Sequence, residues 1–354
     1  MTKHFERIGV LTSGGDAPGM NATIRAVTRA ALANGVEVMG IYEGYKGLME
    51  GNMKLFDERD VSNIINHGGT MLYSARSPEF KTEEGMARAI QVCKDNHING
   101  IVAIGGDGTF RGATDLTIRG IPCIGLPGTI DNDITATDYS IGYDTAMNTV
   151  IEMVDRLRDT CESHFRCSVI EVMGRNSGYI ALNTGIAVGA SIIVVSEIEF
   201  DEDKAIEAVL EAKKEGKRNF IIIVSEGAEG FAEPFAKRFE EKTGIETKFA
   251  RLAHVVRGGS PSLRDRVLAT EMGNEAVNLL LEGKSNLVVC NHDNKICSMD
   301  IGDALILDRM YKGKLKEGDL DKYTEEEIAQ MKSFCERKAA EFKKLYEMAY
   351  LISR

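Results

Sequence analysis

Two acidic residues, Asp131 and Asp133, lie in a glycine-containing stretch, Gly125–Asp133, that follows a short apolar run. The apolar run predicts a buried strand, and open α/β sheets bind their ligands at the carboxyl ends of the strands. One carboxylate in such a place could accept a proton, and the other could orient a cation. An ordinary turn is the alternative, because Asp and Asn readily bond their own backbone.

Two glycine-rich turns could hold phosphate groups. Thr12–Asn21 and Gly105–Thr109 each follow a short apolar run and precede a periodic helical pattern. Backbone N–H groups at the start of a helix can bind phosphate, and the carboxylate of Asp107 is a hard oxygen ligand of the kind that Mg²⁺ prefers. The first turn is not a Walker A loop, because Met20 and Asn21 stand where Lys and Ser or Thr are required. A plain tight turn is again the alternative.

Arginines near these and similar turns supply the positive charge that an anionic ligand needs. Arg76 lies in a proline-flanked loop, and Arg175 lies in a further glycine turn after a predicted strand. Taken singly, each is more typical of a solvated surface arginine. Together with the acidic residues they form a phosphate-handling constellation; the arginines are Arg76, Arg166, Arg175 and Arg257.

The elements that position these residues alternate between strand and helix, which predicts an α/β fold with parallel sheets. The pattern predicts an amphipathic helix over Thr82–Asp95, a small helix near Val61–Asn66, and strands near Ile296 and Ile306. From Thr324 onward, charged residues alternate with apolar ones at the spacing of an amphipathic helix.

Length and composition narrow the class of protein. A chain of 354 residues favours two domains, or one sheet with large additions, and 43% hydrophobic content supports sizeable cores. A formal net charge of −11 without a long basic run argues against a nucleic-acid partner. Seven cysteines without a C-x-x-C suggest neither a disulfide framework nor a zinc site. The N-terminus has no apolar signal core, and the most apolar window, Tyr179–Val195, is too short for a membrane span. We therefore expect a cytoplasmic protein with no membrane partner.

The sequence resembles the bacterial 6-phosphofructokinase family in five motifs that occur in the same order. The resemblance runs in register from about Arg7 to about Lys322 and leaves only the tail outside it. Gly-Gly-Asp-Gly-Thr alone would be weak, because NAD kinases and diacylglycerol kinases also carry it. The five motifs are Val10–Asn21, Gly105–Thr109, Pro127–Asp133, Val172–Arg175 and His254–Pro261.

This resemblance implies two doubly wound, Rossmann-like α/β lobes with the active site in the cleft between them, plus a C-terminal helix. The larger, ATP-binding lobe would comprise residues 1–142 and 256–306. The smaller lobe, which would bind fructose 6-phosphate, would comprise 143–255 and 307–323, and residues 324–354 would form the C-terminal helical extension.

The resemblance also implies transfer of the γ-phosphoryl of ATP to the 1-hydroxyl of fructose 6-phosphate, a step of glycolysis that gives fructose 1,6-bisphosphate and ADP. Asp131 would be the general base, Asp107 would hold Mg²⁺, and Thr129, Arg175 and Arg76 would complete the catalytic set. The ATP-binding residues would be Gly15, Tyr45, Arg76, Ser77, Gly106, Asp107, Gly108 and Thr109. The sugar-phosphate-binding residues would be Thr129, Ile130, Asp131, Arg166, Met173, Gly174, Arg175, Glu226, Lys248, His254 and Arg257.

Two further expectations concern other subunits and effectors. Arg166 and Lys248 would reach in from a neighbouring subunit of a homotetramer. Lys248 stands where the bacterial enzymes usually have arginine, so a point charge replaces a bidentate fork. The family's effector pocket for ADP and phosphoenolpyruvate matches at four cations and differs at four other positions. The matching residues are Arg25, Arg29, Arg158 and Lys217, and the differing ones are Glu58, Asn63, Ser191 and Glu215.

Gly108 and Gly128 bear on the phosphoryl donor, because pyrophosphate-dependent relatives typically carry aspartate and lysine there. Small residues leave room for the rest of ATP, so ATP is the expected donor and pyrophosphate the alternative. An NAD-kinase-like or lipid-kinase-like enzyme could use Gly105–Thr109 but would leave Pro127–Asp133 and His254–Pro261 without a role. A catalytically silent regulatory subunit would keep the fold but lose Asp131, Asp107 or the arginines, and all of these are present.

Overall fold

A mainly parallel sheet lies at the centre of each of two units of the chain. In this computed structural model, which describes residues 5–353, the first unit comprises the residues up to Ile130, Ile134–Thr145 and Arg257–Met331. The second comprises Asp131–Asp133, Ala146–Val256 and the chain from Lys332 onward. The α/β class expected from the alternating pattern is confirmed.

The first unit contains a seven-stranded sheet in the order β11-β10-β5-β4-β1-β2-β3. Its inner strands are parallel, and the two edge strands, β3 and β11, pair antiparallel with their neighbours. Parallel strands need long crossover connections, which the intervening helices supply. The strands are β1 (Arg7–Ser13), β2 (Glu37–Ile41), β3 (Met53–Phe56), β4 (Ile101–Gly105), β5 (Cys123–Pro127), β10 (Leu287–His292) and β11 (Lys295–Asp300).

Helices cover this sheet and complete a core of aliphatic and aromatic side chains. Gly273 allows close helix packing, because a methyl group built there would lie 2.7 Å from the Cβ of Ala26. The helices of this unit are α1 (Met20–Ala33), α2 (Gly44–Glu50), α3 (Glu83–Asp95), α4 (Asp107–Ile118), α9 (Leu263–Leu281) and α10 (Ile301–Tyr311).

The second unit is built on a four-stranded parallel sheet in the order β7-β8-β6-β9. Its strands are β6 (Cys167–Val172), β7 (Ile192–Val194), β8 (Phe220–Ser225) and β9 (Thr247–Arg251). Its helices are the greater part of α5 (Tyr143–His164) and of α11 (Glu325–Ile352), with α6 (Tyr179–Ala187), α7 (Glu202–Lys214) and α8 (Ala232–Thr243). A separate hydrophobic core fills this unit.

Two local expectations are wrong. Residues 61–66 form turns rather than a helix, because Asn63 has a left-handed backbone with φ of 60° although Val61 and Ile64 are buried. The expected strand near Ile306 is part of helix α10, whose start is capped by Asp300: its carboxylate accepts a hydrogen bond from the Asp303 N–H at 3.2 Å. The expectations for Thr82–Asp95 and for the C-terminal helix are confirmed.

The window Tyr179–Val195 is divided between α6 and β7. Across residues 5–353, no helix combines the length and the apolar character needed to span a bilayer. All seven cysteines are free thiols, and six of them are buried.

Candidate active site

The glycine turn after β4 is tied to the end of β1 in the first unit. The Thr109 hydroxyl donates a hydrogen bond to the carbonyl of Ser13 at 3.1 Å. Because β1 and β4 are parallel neighbours, with Ser13 opposite Gly105, the two glycine turns emerge side by side. This places two helix N-termini, those of α1 and α4, at one edge of the sheet.

The loop that carries Arg76 and Ser77 reaches the same edge. The Ser74 hydroxyl donates to the carbonyl of Gly14 at 2.6 Å, and the Thr12 hydroxyl donates to the carbonyl of Tyr73 at 2.8 Å. Arg76 is exposed, and within residues 5–353 its guanidinium has no hydrogen bond or ion pair. A cation thus stands beside the glycine turns with its donors available to a ligand.

Arg257 lies against the first glycine turn. Its Nη1 donates to the carbonyl of Asp16 at 3.3 Å. A methyl group built on Gly15 would lie 2.7 Å from that Nη1. Gly15 is therefore needed for the close approach of the guanidinium, and Arg257 is fixed next to the turn.

Tyr45 supports these turns from within the core. It is buried, its hydroxyl donates to the carbonyl of Thr109 at 2.5 Å, and its ring stacks on Phe80 with centroids 4.2 Å apart. Burial, and to a lesser extent Cys123 and Asp115, raises the pKa of Tyr45 well above its ordinary value. The phenol is thus a neutral donor that positions the second turn.

Asp107 is the first residue of α4 and is open to solvent. Its Oδ2 accepts a hydrogen bond from Arg111 Nη2 at 2.7 Å, and the two side chains are 43% and 55% exposed. A methyl group built on Gly106 or on Gly108 would meet nothing within 4 Å. In the part of the chain that the structure describes, no group of three or more His, Cys, Asp or Glu could hold a metal ion. Any metal at Asp107 would therefore need most of its ligands from substrate and water.

The motif after β5 is held by backbone hydrogen bonds in the first unit. The Gly128 N–H donates to the carbonyl of Gly105 at 3.0 Å, and the Thr129 N–H donates to the carbonyl of Ile141 at 3.1 Å. Thr129 is 9% exposed and Ile130 is fully buried. Ile130 thus presents no side chain to a ligand.

Asp131 and Arg175 form an ion pair in the second unit. Asp131 Oδ2 lies 3.3 Å from Arg175 Nε, and the Asp131 side chain is 3% exposed whereas that of Arg175 is 60% exposed. Arg175 has a left-handed backbone, with φ of 52°. A buried carboxylate thus lies beside a guanidinium that extends to solvent, and both belong to motifs predicted to be catalytic.

Glu226 fixes the turn that carries Arg175. Its Oε1 accepts hydrogen bonds from the Gly174 N–H at 3.2 Å and the Arg175 N–H at 2.6 Å. Gly174 has φ of 140°, and a methyl group there would lie 2.5 Å from the carbonyl of Ser177. Met173, just before it, is buried. Glu226 therefore positions the Arg175 backbone, whether or not it also contacts a ligand.

Arg166 and Lys248 share one carboxylate. Glu246 accepts from Arg166 Nε at 2.7 Å and lies 2.8 Å from Lys248 Nζ. The hydrogen bond from Arg166, and next the one from Lys248, lowers the pKa of Glu246 to about 2. Arg251, at the end of the same strand, pairs with a different carboxylate: its Nε lies 2.6 Å from a carboxylate oxygen of Glu171.

The remaining predicted residues divide between the two units. His254 is exposed and lies in the 3-10 helix Ala253–Arg257. Arg25 and Arg29 are half-buried on α1 in the first unit. In the second unit, Arg158 donates to Asn219 Oδ1 at 3.1 Å and to the carbonyl of Val188. Burial, and next the charge of Arg158, lowers the pKa of Lys217.

Two residues near the site, Asn21 and Asp265, have structural roles that no sequence motif predicted. Asn21 Oδ1 accepts from the Met71 N–H at 2.7 Å, and its Nδ2 donates to the carbonyls of His67 and Gly68, each at 3.1 Å. Asp265 is fully buried. The Ser-x-x-Asp spacing at 262–265 signals a helix start but not the loop contacts that this carboxylate makes. These contacts are long-range, so no local pattern reveals them.

Comparison with known proteins places this geometry in a family. A family profile described as phosphofructokinase matches residues 7–280. The ATP-dependent 6-phosphofructokinase of Clostridium tetani is 53% identical over 313 residues, which cover 88% of this chain and 98% of that protein. The corresponding protein of Enterococcus faecalis is 52% identical over 301 residues, 85% of this chain and 94% of that protein.

Solved structures of phosphofructokinases are also similar to this chain. The phosphofructokinase of Saccharomyces cerevisiae has a TM-score of 0.86 at 32% identity, covering 97% of this chain and 50% of that one, so this chain spans half the length of the yeast chain. A pyrophosphate-dependent phosphofructokinase from Marinobacter aquaeolei has a TM-score of 0.74 at 22% identity, covering 84% of this chain and 83% of that one, and shares the fold. On the family match and the bacterial identities together, the chain belongs to the phosphofructokinase family.

Proposed function

We propose that this protein is an ATP-dependent 6-phosphofructokinase, which transfers the γ-phosphoryl of ATP to the 1-hydroxyl of fructose 6-phosphate. The observation that carries the proposal is the buried Asp131 carboxylate, 3.3 Å from the guanidinium of Arg175. A sugar hydroxyl is a poor nucleophile at neutral pH, and a positioned carboxylate can take its proton during attack. A neighbouring arginine can stabilise charge on the transferring phosphoryl group.

The first unit supports binding of the nucleotide phosphates. Two glycine turns at helix N-termini and an exposed Arg76 stand at one edge of its sheet. Backbone N–H groups and arginines are the donors that bind phosphate. Gly15, Ser77 and Gly106–Thr109 would line the ATP site, and Tyr45 would hold the second turn in place.

Asp107 fits a magnesium ion held mainly by the substrate. Its carboxylate is exposed at the start of α4, and the neighbouring glycines leave open space around it. Mg²⁺ typically takes one or two protein carboxylates, with substrate phosphates and water as its other ligands. When bound, it would neutralise charge on the phosphates of ATP. Arg111, which pairs with Asp107 here, would then release it or share it.

The chain's own residues account for the transfer step. Asp131 would take the proton of the 1-hydroxyl as that oxygen forms its bond to the γ-phosphorus. The bond from this phosphorus to the bridging oxygen breaks at the same time, and ADP leaves with the electron pair. Thr129 would donate a hydrogen bond to the sugar or to the transferring group. Glu226 contributes by fixing the Arg175 backbone.

Two glycines favour ATP over pyrophosphate as the donor. Gly108 faces open space, which leaves room for the rest of the nucleotide. At Gly128 a methyl group would lie 3.0 Å from Ile104 Cγ2 and 3.3 Å from Met20 Cε. A lysine at position 128, as in pyrophosphate-dependent relatives, would require these side chains to move.

The proposed fructose 6-phosphate site is made of residues from two chains and therefore implies an oligomer. Met173, Gly174, Arg175, Glu226, His254 and Arg257 would bind fructose 6-phosphate from one chain, and Arg166 and Lys248 would come from a neighbour in a cytoplasmic homotetramer. Leu263 and Val267, one turn apart on α9, are 80% and 49% exposed, and a subunit interface there would cover them. Light scattering that gives four times the chain mass would support this; a monomer that is fully active would contradict it.

A coupled assay tests the proposed reaction. ADP release should depend on both ATP and fructose 6-phosphate, and fructose 1,6-bisphosphate should form in equal amount. Pyrophosphate at the same concentration should support much slower turnover. Faster turnover with pyrophosphate would overturn the choice of donor, and ADP release independent of the sugar phosphate would overturn the reaction. Regulation through Arg25, Arg29, Arg158 and Lys217 stays a prediction, tested by titrating ADP and phosphoenolpyruvate at limiting sugar phosphate.

A further inference from the structure

A cavity of about 260 Å³ lies in the second unit. Neither Asp131 nor Arg175 is among the residues that line it. One wall is the C-terminal part of α11, and the others are α7 and the strands β7 and β8. Helix α11 begins at Glu325, beyond the last residue, 280, of the family match. The cavity thus depends on a segment outside the part of the chain that carries the family signature.

Small side chains create the space. Ala205, Ala208 and Ala212 follow one another along α7 at helical spacing and line the cavity, and Ala349 faces it from α11. Longer apolar residues at these positions would fill the gap that the alanines leave. The volume exceeds the 150 Å³ or so of a cavity that binds benzene and approaches the lower end of ordinary ligand pockets, about 300 Å³.

The wall formed by α11 is anchored but lightly packed. The Tyr346 hydroxyl donates to the carbonyl of Ile193 at 3.0 Å, and Phe342 meets the ring of Tyr179 edge-on at 5.0 Å. Over its 28 residues, α11 has three buried side chains: Cys335, Phe342 and Ala349. Apolar area buried by a ligand would therefore add appreciably to the docking of this helix.

One end of the cavity carries a cation. Lys217 lines it, is half-buried, and donates to the carbonyl of Ser353 at 3.4 Å. Among residues 5–353, no carboxylate lies within 4 Å of its Nζ. Burial and the charge of Arg158 lower its pKa, as expected for a cation short of negative charge. The carboxylates that line other parts of the cavity are either exposed, as in Glu199 and Glu347, or engaged in capping α7, as in Asp201.

We propose that this cavity binds a small carboxylate with an apolar body, of the size of a one-ring aromatic acid, with its carboxylate at Lys217 and its body among the alanines. The half-buried Lys217 ammonium matches a monoanion, and a phosphate dianion would call for more buried donors. The second lining cation, Lys204, is exposed, and its Nζ lies 5.5 Å from the centroid of the Tyr350 ring. The alanines of α7 favour an apolar body over a sugar or a highly hydroxylated ligand, whose polar groups would lose their hydrogen bonds against them.

Titration calorimetry with 4-phenylbutyrate on the full-length protein tests the proposal. Binding should saturate at one molecule per chain. Lys217→Met should weaken it about tenfold or more, the effect of losing a hydrogen bond to a charged group. The matched variant Lys214→Met, which changes an exposed lysine three residues away, should leave it unchanged. The neutral analogue 4-phenylbutanol should bind wild type and Lys217→Met equally.

Filling the cavity gives an independent test. Ala208→Phe should abolish binding of 4-phenylbutyrate, and Ala212→Leu serves if the first variant fails to fold. Bound ligand should also slow hydrogen exchange in α11 of the wild type. Binding that survives the filling variants, or that is insensitive to Lys217→Met, would overturn the proposal. So would displacement of the probe by inorganic phosphate or ADP at equal concentration, which would assign Lys217 to the effector pocket that the family resemblance implies and not to this cavity.

Discussion

Replacing Asp265 with asparagine should remove a pH dependence of stability that this buried carboxylate creates. Asp265 accepts hydrogen bonds from the Gly142 N–H at 2.9 Å, the Thr145 N–H at 2.8 Å and the Thr145 hydroxyl at 2.5 Å. All of these residues belong to the first unit. The carboxylate thus joins α9 to the segment that leads from the catalytic motif into α5.

Burial raises the pKa of Asp265 from 3.8 to about 6, although its hydrogen bonds act in the opposite direction. A raised pKa in the folded protein means that protonation favours folding. The stabilisation is fully present below the unfolded value and is lost as pH rises through about 6. Lowering the pH from 7 to 5 should therefore add roughly 1 kcal/mol to the free energy of unfolding through this one group.

The measurement is urea unfolding of wild type and Asp265→Asn at pH 7 and pH 5, at equal protein concentration. The variant should be less stable at both pH values, because an amide cannot accept all three hydrogen bonds. The wild type should gain roughly 1 kcal/mol more than the variant when the pH is lowered from 7 to 5. Equal gains, or a larger gain in the variant, would refute this explanation of the buried carboxylate.

Two further substitutions probe the proposed substrate sites. Lys248→Arg should lower the KM for fructose 6-phosphate about threefold to tenfold, because a bidentate fork binds phosphate better than a point charge; an unchanged or higher KM would argue that Glu246 holds this side chain away from substrate. Gly15→Ala should lower kcat/KM for fructose 6-phosphate at least about tenfold by displacing Arg257 (roughly 1.4 kcal/mol), whereas Gly258→Ala, where a methyl group meets nothing within 4 Å, should have little effect. Equal effects of the two glycine changes would remove the packing argument.

Much of the fold follows from local patterns. Apolar runs followed by glycine turns located β1, β4 and β5 because buried parallel strands are continuously apolar. Helix α3 carries a clear start signal: the Thr82 hydroxyl accepts from the Gly85 N–H at 3.1 Å. The strand expected near Ile306 was wrong because periodicity alone does not separate a short buried strand from a buried helix.

The site was predictable as a set of residue types but not as contacts. The glycines, Asp131 and the arginines stand in motifs that the sequence displays. Arg175 pairs with Asp131, which is 44 positions away. One oxygen of Glu226 accepts hydrogen bonds from two backbone N–H groups of a turn more than 50 positions away. No local sequence pattern predicts such contacts. Glu246, which bonds both Arg166 and Lys248, belongs to no motif and was missed.

Turnover of Asp131→Asn tests the central claim most directly. The variant keeps the shape of the side chain and removes the base, so kcat should fall about 10²- to 10⁴-fold while the affinity for ATP stays within about twofold of wild type. Asp155→Asn, the same change at an exposed position on α5, should leave both unchanged. Near-normal kcat in Asp131→Asn would contradict the account, because the buried carboxylate beside Arg175 would then have no part in proton removal.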